Sequence, residues 1–476
     1  MGLSDLKVIF NAIQAKRGRL SRLMGYYDGD QPTVYLTQRL REVFRGVDLA
    51  FTENWCSVVI DACKDRITLS GFKVTGSSQT QSALDMAWAE SELAIEANDV
   101  HETALVCGEA YLIVWPSDDD GEAEAYYNDP RMVEIVYEAM NPRDKRVAGK
   151  LWTAVDGTAR MTLYYRDHLE YYRSGQKAVE VSAASAFEPD LAEGQNWPVN
   201  PYDCVPVFCF RPNRAMRSDL KNVIPIQNGV NKLLADMVVA AEYGAFRQRW
   251  VITGAEIQGK VSSQPGEMLQ IPPGDGQEQD AQVGEFDVTD LDNYLKAIDN
   301  LSNAIGKVTG TPKHYFFNQN GDPSGEALIA MEAPLNKKAK IRIERFMVTW
   351  QEVACFIAQV SGCTCNKGQV QAIFDEPETI QPKTQAEIIK TQVEAGIPLV
   401  TALRMAGWSD AEIEQMQKDQ EADKSKATSM ASAILAQQRL QTEQQNGMPG
   451  NGQNGNGMNG QQSNQQPDMT MMQKGA

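Results

Sequence analysis

The feature that most constrains this chain is a stripe of apolar residues that recur at intervals of three and four between Leu335 and Val360. Such intervals place the side chains on one face of a single helix, which must bury that face. The stripe consists of Leu335, Ala339, Ile343, Phe346, Trp350, Val353, Ile357 and Val360. Asp322 is a suitable N-cap and Pro323 suits the first helical position, so we expect the helix to begin there. Pro334 lacks a backbone donor and clashes with the preceding turn, at a cost of about 3 kcal/mol, so we expect a kink at this residue.

The first half of the chain predicts an α+β fold. A second helix is expected from Asn54 to about Arg66, and a third over the sequence SALDMAWAESELAIEAND. Between Ala110 and Pro212 the sequence changes to short β-branched and aromatic segments separated by turns, which predicts an antiparallel sheet region. The chain opens with an amphipathic helix, whose apolar face is expected to include Leu6, Ile9, Phe10 and Ile13.

Two further helices are expected around a non-helical insert. The first begins at Pro225 and the second at Thr289, and the insert between them, about Val251 to Phe286, is rich in Gly, Pro and Gln. Several short helices are expected from Lys383 to Leu440. Beyond Leu440 there is no Leu, Ile, Val or aromatic residue, so the segment 441–476 is expected to be disordered, because it cannot bury enough apolar surface to offset its chain entropy.

Charge and composition narrow the function classes. Lys and Arg total 45 against 63 Asp and Glu, a formal charge of -18, which argues against a protein that grips nucleic acid by neutralising phosphates. No apolar run approaches the roughly 18 to 20 residues of a membrane helix, and no signal peptide is recognisable, so a cytosolic site of synthesis is expected. The eight cysteines have no regular spacing and are expected to be small buried apolar residues in a reducing compartment, without a metal site.

Enzymatic motifs are weak or incomplete. The stretch GAEIQGKV from Gly254 to Val261 matches a phosphate-binding loop, but Val261 stands where a Ser or Thr would have to ligate Mg²⁺. We interpret it as a turn within a β-containing insert. The acidic stretch SDDDGEAE at Ser117 lacks the ligand spacing of a calcium loop and is interpreted as a solvated turn. Neither a GxSxG nor an HExxH sequence is present, so we expect neither an enzyme nor a cofactor.

A basic stripe interrupts the acidic background. On a helix, Lys338, Arg342 and Arg345 of the sequence NKKAKIRIER share one face. Two interpretations stay open: a solvated face opposite the apolar stripe, or a surface that faces phosphate or a partner.

The connection between the second and third long helices is aromatic, rich in amides and nearly uncharged. Helix-helix connections usually take about two to eight residues, so a longer one is expected to project and to contact something. Its residues are Lys313, His314, Tyr315, Phe316, Phe317, Asn318, Gln319 and Asn320.

The order of these parts resembles the portal proteins of tailed double-stranded DNA bacteriophages, specifically the Gp6-like portal family. The resemblance rests on the shared order of the segments YYDGDQP, ENWCSVVIDACKDRITLSGF, VPVFCFRPN, IPIQNGVNKLLADM and PSGEALIAMEAPLNKKAKIRIERFMVTWQE. It implies a portal-type α+β fold with wing, two-helix stem, clip, long kinked helix and helical crown, in a ring of usually twelve subunits around a DNA channel.

The family scheme assigns each stretch of the chain a place. It makes residues 1–220 the wing, 221–250 and 287–310 the stem helices, 251–286 the clip, 311–323 a tunnel loop, 324–375 the long kinked helix of the wing with its connection, and 376–440 the crown. The tunnel loop would lie beside moving DNA, with at least one of its aromatics packed against a stem helix. The clip would present an acidic docking surface made of Glu256, Lys260, Glu267, Asp275, Glu278 and Asp280.

The resemblance also implies partners and a location. The expected partners are further copies of the chain, double-stranded DNA held weakly and without sequence preference, the terminase large subunit, a head-completion or adaptor protein, and the major capsid and scaffolding proteins; no membrane is expected. The expected location is the portal vertex of the virion capsid, and the host cytoplasm during assembly. An alternative from another class is a metal- or nucleotide-dependent DNA enzyme of the same packaging system, which the incomplete phosphate-binding loop disfavours.

Overall fold

The computed structural model describes residues 2–32, 52–117, 121–191, 195–245, 249–252, 282–285, 287, 290–316, 324–377, 382–408 and 412–421. The chain divides into two compact units, Met1–Thr379 and Ile380–Ala476. Each is described by itself. Within the described residues, no helix combines the length and the apolar composition that crossing a bilayer would require.

Among the described residues, the helices of the first part of this unit are α1 (Gly2–Asp28), α2 (Trp55–Lys64), α3 (Ser78–Glu90) and α4 (Leu93–Cys107). The expected apolar face of α1 is confirmed, since its members are buried, and α2 begins after the N-cap Asn54 as expected. The prediction of one continuous third helix is wrong. The chain breaks between α3 and α4, where Glu92 adopts a left-handed backbone conformation with φ of 47° and the Ser91 hydroxyl accepts a hydrogen bond from the Ala125 amide at 3.0 Å.

Antiparallel sheets follow, as the sequence between Ala110 and Pro212 predicts. The strands are β1 (Leu69–Val74), β2 (Ala110–Pro116), β3 (Ala123–Asn128), β4 (Val133–Tyr137), β5 (Lys145–Thr153), β6 (Thr158–Tyr164), β7 (Leu169–Lys177), β8 (Phe187–Pro189), β9 (Val207–Phe210) and, after the long helix, β12 (Val370–Phe374). A three-stranded sheet has the order β3-β2-β9 and a five-stranded sheet the order β4-β5-β6-β7-β8. A two-stranded sheet pairs β1 with β12.

Helix α1 joins two hydrophobic clusters. Its first half packs on the five-stranded sheet, where Ile9 touches β5 at Gly149 so closely that an added Cβ would lie 2.8 Å from the Ile9 side chain. Its second half, with Leu20 and Tyr26, belongs to the main cluster together with α2, α4 and the three-stranded sheet. One helix therefore aligns the two sheet regions of this unit.

Two helices follow the sheets: α5 (Ile224–Ala245) and α6 (Asp292–Thr309), and they pack against each other. Between them, β10 (Arg249–Ile252) pairs antiparallel with β11 (Gln282–Glu285), so the chain leaves and returns through a two-stranded ladder. The second helix was expected from Thr289; it begins three residues later, after Leu291. The phosphate-loop lookalike at 254–261 lies outside the described residues.

The long helix α7 (Gly325–Val360) carries the predicted stripe into the main cluster. Seven members of the stripe, from Leu335 to Ile357, are buried, and Val360 packs at its edge. The predicted N-cap at Asp322 is wrong: the cap is Ser324, whose hydroxyl accepts from the Ala327 amide at 3.3 Å. Ser324 satisfies one of the free amides of the first turn. The helix is continuous through Pro334, and the kink stays a prediction.

A buried histidine lies against this helix. His101 of α4 is fully buried, and its Nε2 atom accepts a hydrogen bond from the Trp350 indole N–H at 2.9 Å. Its Nδ1 atom lies 3.1 Å from the Ile67 carbonyl, and its ring stacks on Phe346 with centroids 4.9 Å apart. These contacts suit the neutral ring with its proton on Nδ1. Burial lowers the pKa of His101 to about 3, despite the opposing hydrogen bond to Ile67.

The second unit is helical where it is described. It contains α8 (Pro382–Glu394), α9 (Leu399–Met405) and a further helix, α10, at 412–421. Ala402, Leu403 and Ile413 are buried. These elements agree with the expectation of several short helices, and the predicted tail at 441–476 lies outside the described residues.

Candidate functional site

The segment that joins α6 to α7 is described as far as Phe316. Helix α6 ends at Gly310, which has a φ of 74°, a conformation that glycine adopts without the strain a Cβ would add. A short 3-10 turn, Lys313–Tyr315, follows Pro312. Phe317, Asn318, Gln319 and Asn320 of the predicted loop lie outside the described residues, so the structure describes the base of this loop.

Phe316 anchors the loop base in the core. It is 5% exposed, and its ring meets Trp55 edge-on with centroids 5.2 Å apart. On its other side the ring lies against Gly306 of α6, where an added Cβ would stand 3.3 Å from the ring and 2.9 Å from the Thr311 carbonyl. The expectation that at least one aromatic residue of the loop packs against this helix is confirmed at Phe316.

Arg66 holds the neighbouring residue. Its Nη2 atom donates to the Tyr315 hydroxyl at 2.9 Å and lies 3.1 Å from Glu332 Oε2 on α7. Its Nε atom donates to Asn336 Oδ1 at 2.8 Å, and its Nη1 atom to the Ala62 carbonyl at 2.7 Å. One guanidinium group therefore binds α2, the loop base and α7 together, the kind of planar, multiple recognition that arginine provides.

The two remaining residues of the loop base differ in exposure. His314 is partly buried, with Nε2 3.5 Å from Glu332 Oε1, and its Nδ1 atom is buried without a partner within the described part of the chain. Lys313 is exposed, and none of the ion pairs found among the described residues includes it. The loop base thus presents a cation to solvent while the three residues after it turn inward.

A polar joint links α5 to the first helices of the chain. The Gln227 side chain accepts from the Trp55 amide at 3.0 Å and donates to Asn231 Oδ1 at 2.9 Å. The Tyr26 hydroxyl donates to Asn228 Oδ1 at 2.7 Å. Gln227 and Asn231 are buried. Buried amides fully paired in this way fix one alignment of α5 against its neighbours, because leaving any one unpaired would be costly.

Two residues of the predicted basic stripe form ion pairs with a carboxylate of the same chain. The carboxylate of Asp219, 7% exposed, lies 3.1 Å from Lys338 Nζ and 2.8 Å from Arg342 Nη2. Arg342 also donates to the Pro212 carbonyl at 2.7 Å. Arg345 is exposed. The three cations therefore do not form one uniform face: two are paired with Asp219, in the segment between β9 and the helix that begins at Ile224, and one is open to solvent.

The predicted acidic docking surface of the insert belongs to a part of the chain that the structure does not describe. Glu256, Lys260, Glu267, Asp275, Glu278 and Asp280 of the expected acidic docking surface all lie outside the described residues. In the described part of the chain, no three His, Cys, Asp or Glu side chains converge as metal ligands would.

Three residues that organise this region were missed by sequence reasoning. Arg66, Asp219 and Gln227 each act through partners far along the chain, and nothing in their own sequence neighbourhoods indicates those partners. Phe316, in contrast, was found from the local density of aromatic residues in a polar connection.

Comparisons with known proteins match most of the chain. The family model described as phage portal protein, SPP1 Gp6-like, matches residues 6–426. The chain is 23% identical over 396 residues to the portal protein of Mycobacterium phage D29, covering 75% of this chain and 76% of that protein. It is 22% identical over 395 residues to the portal protein of Mycobacterium phage L5, again covering 75% and 76%.

Proposed function

The chain belongs to the SPP1 Gp6-like family of phage portal proteins, and from this membership we propose that it assembles with copies of itself into a ring through which double-stranded DNA passes. Ring assembly and DNA conduction are general properties of that family, whose members are components of the phage capsid. Identical head-to-tail contacts close into a ring when the rotation between neighbours permits it. We propose the usual number of twelve subunits.

The observation that best supports the DNA-conducting role is that residues 313–316, the base of the loop, are anchored in the fold. Phe316 is fixed in the core, and Tyr315 is bound by Arg66, while Lys313 is exposed immediately before them. A loop with a rigid base can contact a moving chain without being carried along with it. We therefore propose residues 311–323 as the tunnel loop.

The charge of the chain supports weak contact with DNA. A polymer that slides through a pore must not be held, and a subunit with a formal charge of -18 neutralises few phosphates overall. Isolated cations such as Lys313 would touch phosphates one at a time, each contact contributing less than about 1 kcal/mol.

The remaining parts are proposed to follow the family scheme. Helices α5 and α6 would be the stem, the insert 251–286 that leaves through β10 and returns through β11 the clip, and residues 1–220 with α7 the wing. A compact unit that begins at Ile380 supports a crown starting near residue 376. The partners would be the terminase large subunit, a head-completion protein, and the major capsid and scaffolding proteins. The protein would act without catalysis, at the portal vertex of particles assembled in the host cytoplasm.

Ring assembly is the first expected outcome. Purified protein, alone or mixed with its scaffolding and capsid proteins, should give closed rings in negative-stain images and a matching mass by light scattering. A species that remains monomeric at micromolar concentration under all these conditions would contradict the proposal.

Reversing the charge of Lys313 should impair DNA passage while leaving rings intact. Lys313→Glu replaces a weak attraction to passing phosphates by a repulsion in every subunit of the ring, so packaging efficiency should fall while ring formation stays normal. The measurement is DNA content of particles. Lys177→Glu, at an exposed position of β7, is the matched control and should package normally.

A deletion gives the complementary test. It should remove 317–320 and spare Tyr315 and Phe316, because Phe316 is buried in the core and Tyr315 is hydrogen-bonded to Arg66. Asn318→Ala and Gln319→Ala should be tolerated, whereas the deletion should give intact rings and DNA-poor particles. Normal packaging by the deletion variant would mean that the loop is only a connection between helices.

The acidic surface proposed for the clip predicts a salt-dependent docking reaction. Replacing Glu267, Asp275 and Glu278 by Gln should weaken binding to a terminase or head-completion protein and flatten its dependence on ionic strength, because screened charges at a rim mainly affect association. Titrations at two salt concentrations measure both. An unchanged affinity and salt response would exclude this surface.

A further inference from the structure

We propose that Cys355 and Cys365 form an intramolecular disulfide by exchange with a low-molecular-weight disulfide such as glutathione disulfide, and that this bond fastens the last turns of α7 to the segment leading into β12. Both thiols are free in the structure, and their Sγ atoms lie 3.0 Å apart. Both side chains are partly exposed. The site is separate from the loop base and from the DNA-conducting role.

The chain reversal after α7 brings the two thiols together. Gly362, with a φ of 72°, ends the helix, and its amide donates to the Gln359 carbonyl at 3.1 Å. The Cys363 amide donates to the Ala358 carbonyl at 2.8 Å, which directs the returning chain along the helix. This is the usual left-handed glycine ending of a helix. Cys365 thereby comes to lie beside Cys355.

Contacts beyond the turn hold the returning segment against the helix. Lys367 Nζ lies 2.7 Å from Glu352 Oε1 on α7. The Gln351 side chain donates to the Val370 carbonyl at 3.2 Å, at the start of β12. Asn366 and Gln369 form reciprocal side-chain to backbone hydrogen bonds around the short turn between them. The pairing of the two thiols therefore does not depend on one flexible loop.

A small disulfide can reach the pair. Cys355 and Cys365 line a surface cavity of about 580 Å³, a size typical of sites for small molecules. Four cationic side chains line it, Arg143, Lys145, Arg166 and Lys367, together with the carboxylates of Asp144, Asp203 and Glu352. The cations would attract the carboxylates of glutathione disulfide. Lys145 lies 3.9 Å from the centre of the Phe208 ring and belongs to none of the ion pairs of the described residues.

The exchange has a defined order. Burial, together with the neighbouring Cys365 thiol, raises the pKa of Cys355 to about 12, so Cys355 is the poorer nucleophile and the attack begins at Cys365. Its thiolate attacks one sulfur of glutathione disulfide, forming a mixed disulfide and releasing glutathione thiolate, which takes up a proton. Cys355 then gives up its proton and attacks Cys365 Sγ, and the second glutathione leaves. Two thiols and one disulfide become one disulfide and two thiols.

The redox environment would decide when this disulfide forms, and that environment differs inside and outside the host cell. In a reducing cytoplasm the pair stays as two thiols, as the cysteine usage of the sequence predicts. Outside the host, where no thiol reductant is regenerated, exchange would run towards the disulfide. Only this timing rests on the proposed function, because the reaction itself requires a single subunit.

The test uses the purified full-length chain and glutathione disulfide. After incubation, alkylation and digestion without reductant, mass spectrometry should find the peptides containing Cys355 and Cys365 cross-linked, and the melting temperature should rise by a few degrees. Cys355→Ser should instead accumulate the mixed disulfide at Cys365, while Cys365→Ser should form neither. Cys204→Ser, at another residue of the same cavity, should cross-link like the wild type.

Other outcomes would overturn the proposal. Glutathione retained on Cys365 of the wild-type chain without the cross-link would mean that Cys355 cannot reach it, and a dominant bond to Cys204 or Cys363 would assign the reaction to a different pair. Because the readout is a covalent bond within one chain, failure of ring assembly leaves the result interpretable.

Discussion

Replacement of Asp219 by alanine is expected to lower the free energy of unfolding of the first unit by about 3–5 kcal/mol, the usual cost of removing one partner from a buried ion pair. Asp219 is the shared partner of Lys338 and Arg342, whose side chains are 19% and 14% exposed. Without the carboxylate, two cations one turn apart on α7 would lose their counter-charge. Urea unfolding followed by tryptophan fluorescence measures the loss.

A matched control separates this effect from that of any surface carboxylate. Asp144 pairs with Arg166 at 3.4 Å, and both side chains are more than 40% exposed, so Asp144→Ala should cost less than about 1 kcal/mol. If Asp219→Ala were equally mild, the cations of the basic stripe would not depend on Asp219. The interpretation of that stripe as a surface facing phosphate or a partner would then gain support.

Acidification is expected to destabilise the first unit through His101. The pKa of this residue is about 3 in the folded protein, against about 6.5 in an unfolded chain. Between these values the unfolded chain binds the proton and the folded protein does not, so stability is fully present above pH 6.5 and is lost as the pH falls. The contribution of His101 should decrease by about 2 kcal/mol between pH 7.5 and 5, and by about 4 kcal/mol by pH 3.

The variant His101→Gln isolates this contribution. Glutamine does not titrate, yet its amide can accept from the Trp350 indole and donate to the Ile67 carbonyl. Carboxylates and the other histidines are common to both proteins, so the difference in unfolding free energy at each pH reports His101 alone. The wild type should lose its advantage as the pH falls; parallel curves for the two proteins would show that His101 does not stay neutral in the core.

The elements that depend on local periodicity were predictable from the sequence. The stripe on α7 and the apolar face of α1 were read from spacing alone, and both are buried. The antiparallel sheets, the pair of helices around the insert and the resemblance to portal proteins were likewise found. These features succeed because a helix or strand that must bury one face repeats its apolar residues at the period of its own geometry.

The predictions that were wrong, and the contacts that were missed, concern features that depend on tertiary contacts. The break between α3 and α4 lies at Ser91, whose hydroxyl accepts a hydrogen bond from a neighbouring strand, and at Glu92, which has a left-handed backbone conformation. The apolar pattern continues across this break and therefore does not indicate it. The predicted N-cap of α7 is Asp322 and the observed N-cap is Ser324. Both residue types suit this position, and only the folded chain decides between them. The sharing of Asp219 by two cations joins residues more than a hundred positions apart, which no local pattern records.

The hydrogen bonds of Arg66 also have a mechanical consequence. If DNA drags on the loop, the force at Tyr315 passes through the guanidinium group to Glu332 and Asn336 on α7, and need not stretch the intervening chain. Helix α7 lies along the main cluster, so the load would be distributed over many packed side chains and would not concentrate at the loop. A subunit built in this way would resist friction from a passing polymer with the strength of its core, and Arg66 would be the residue at which that resistance begins.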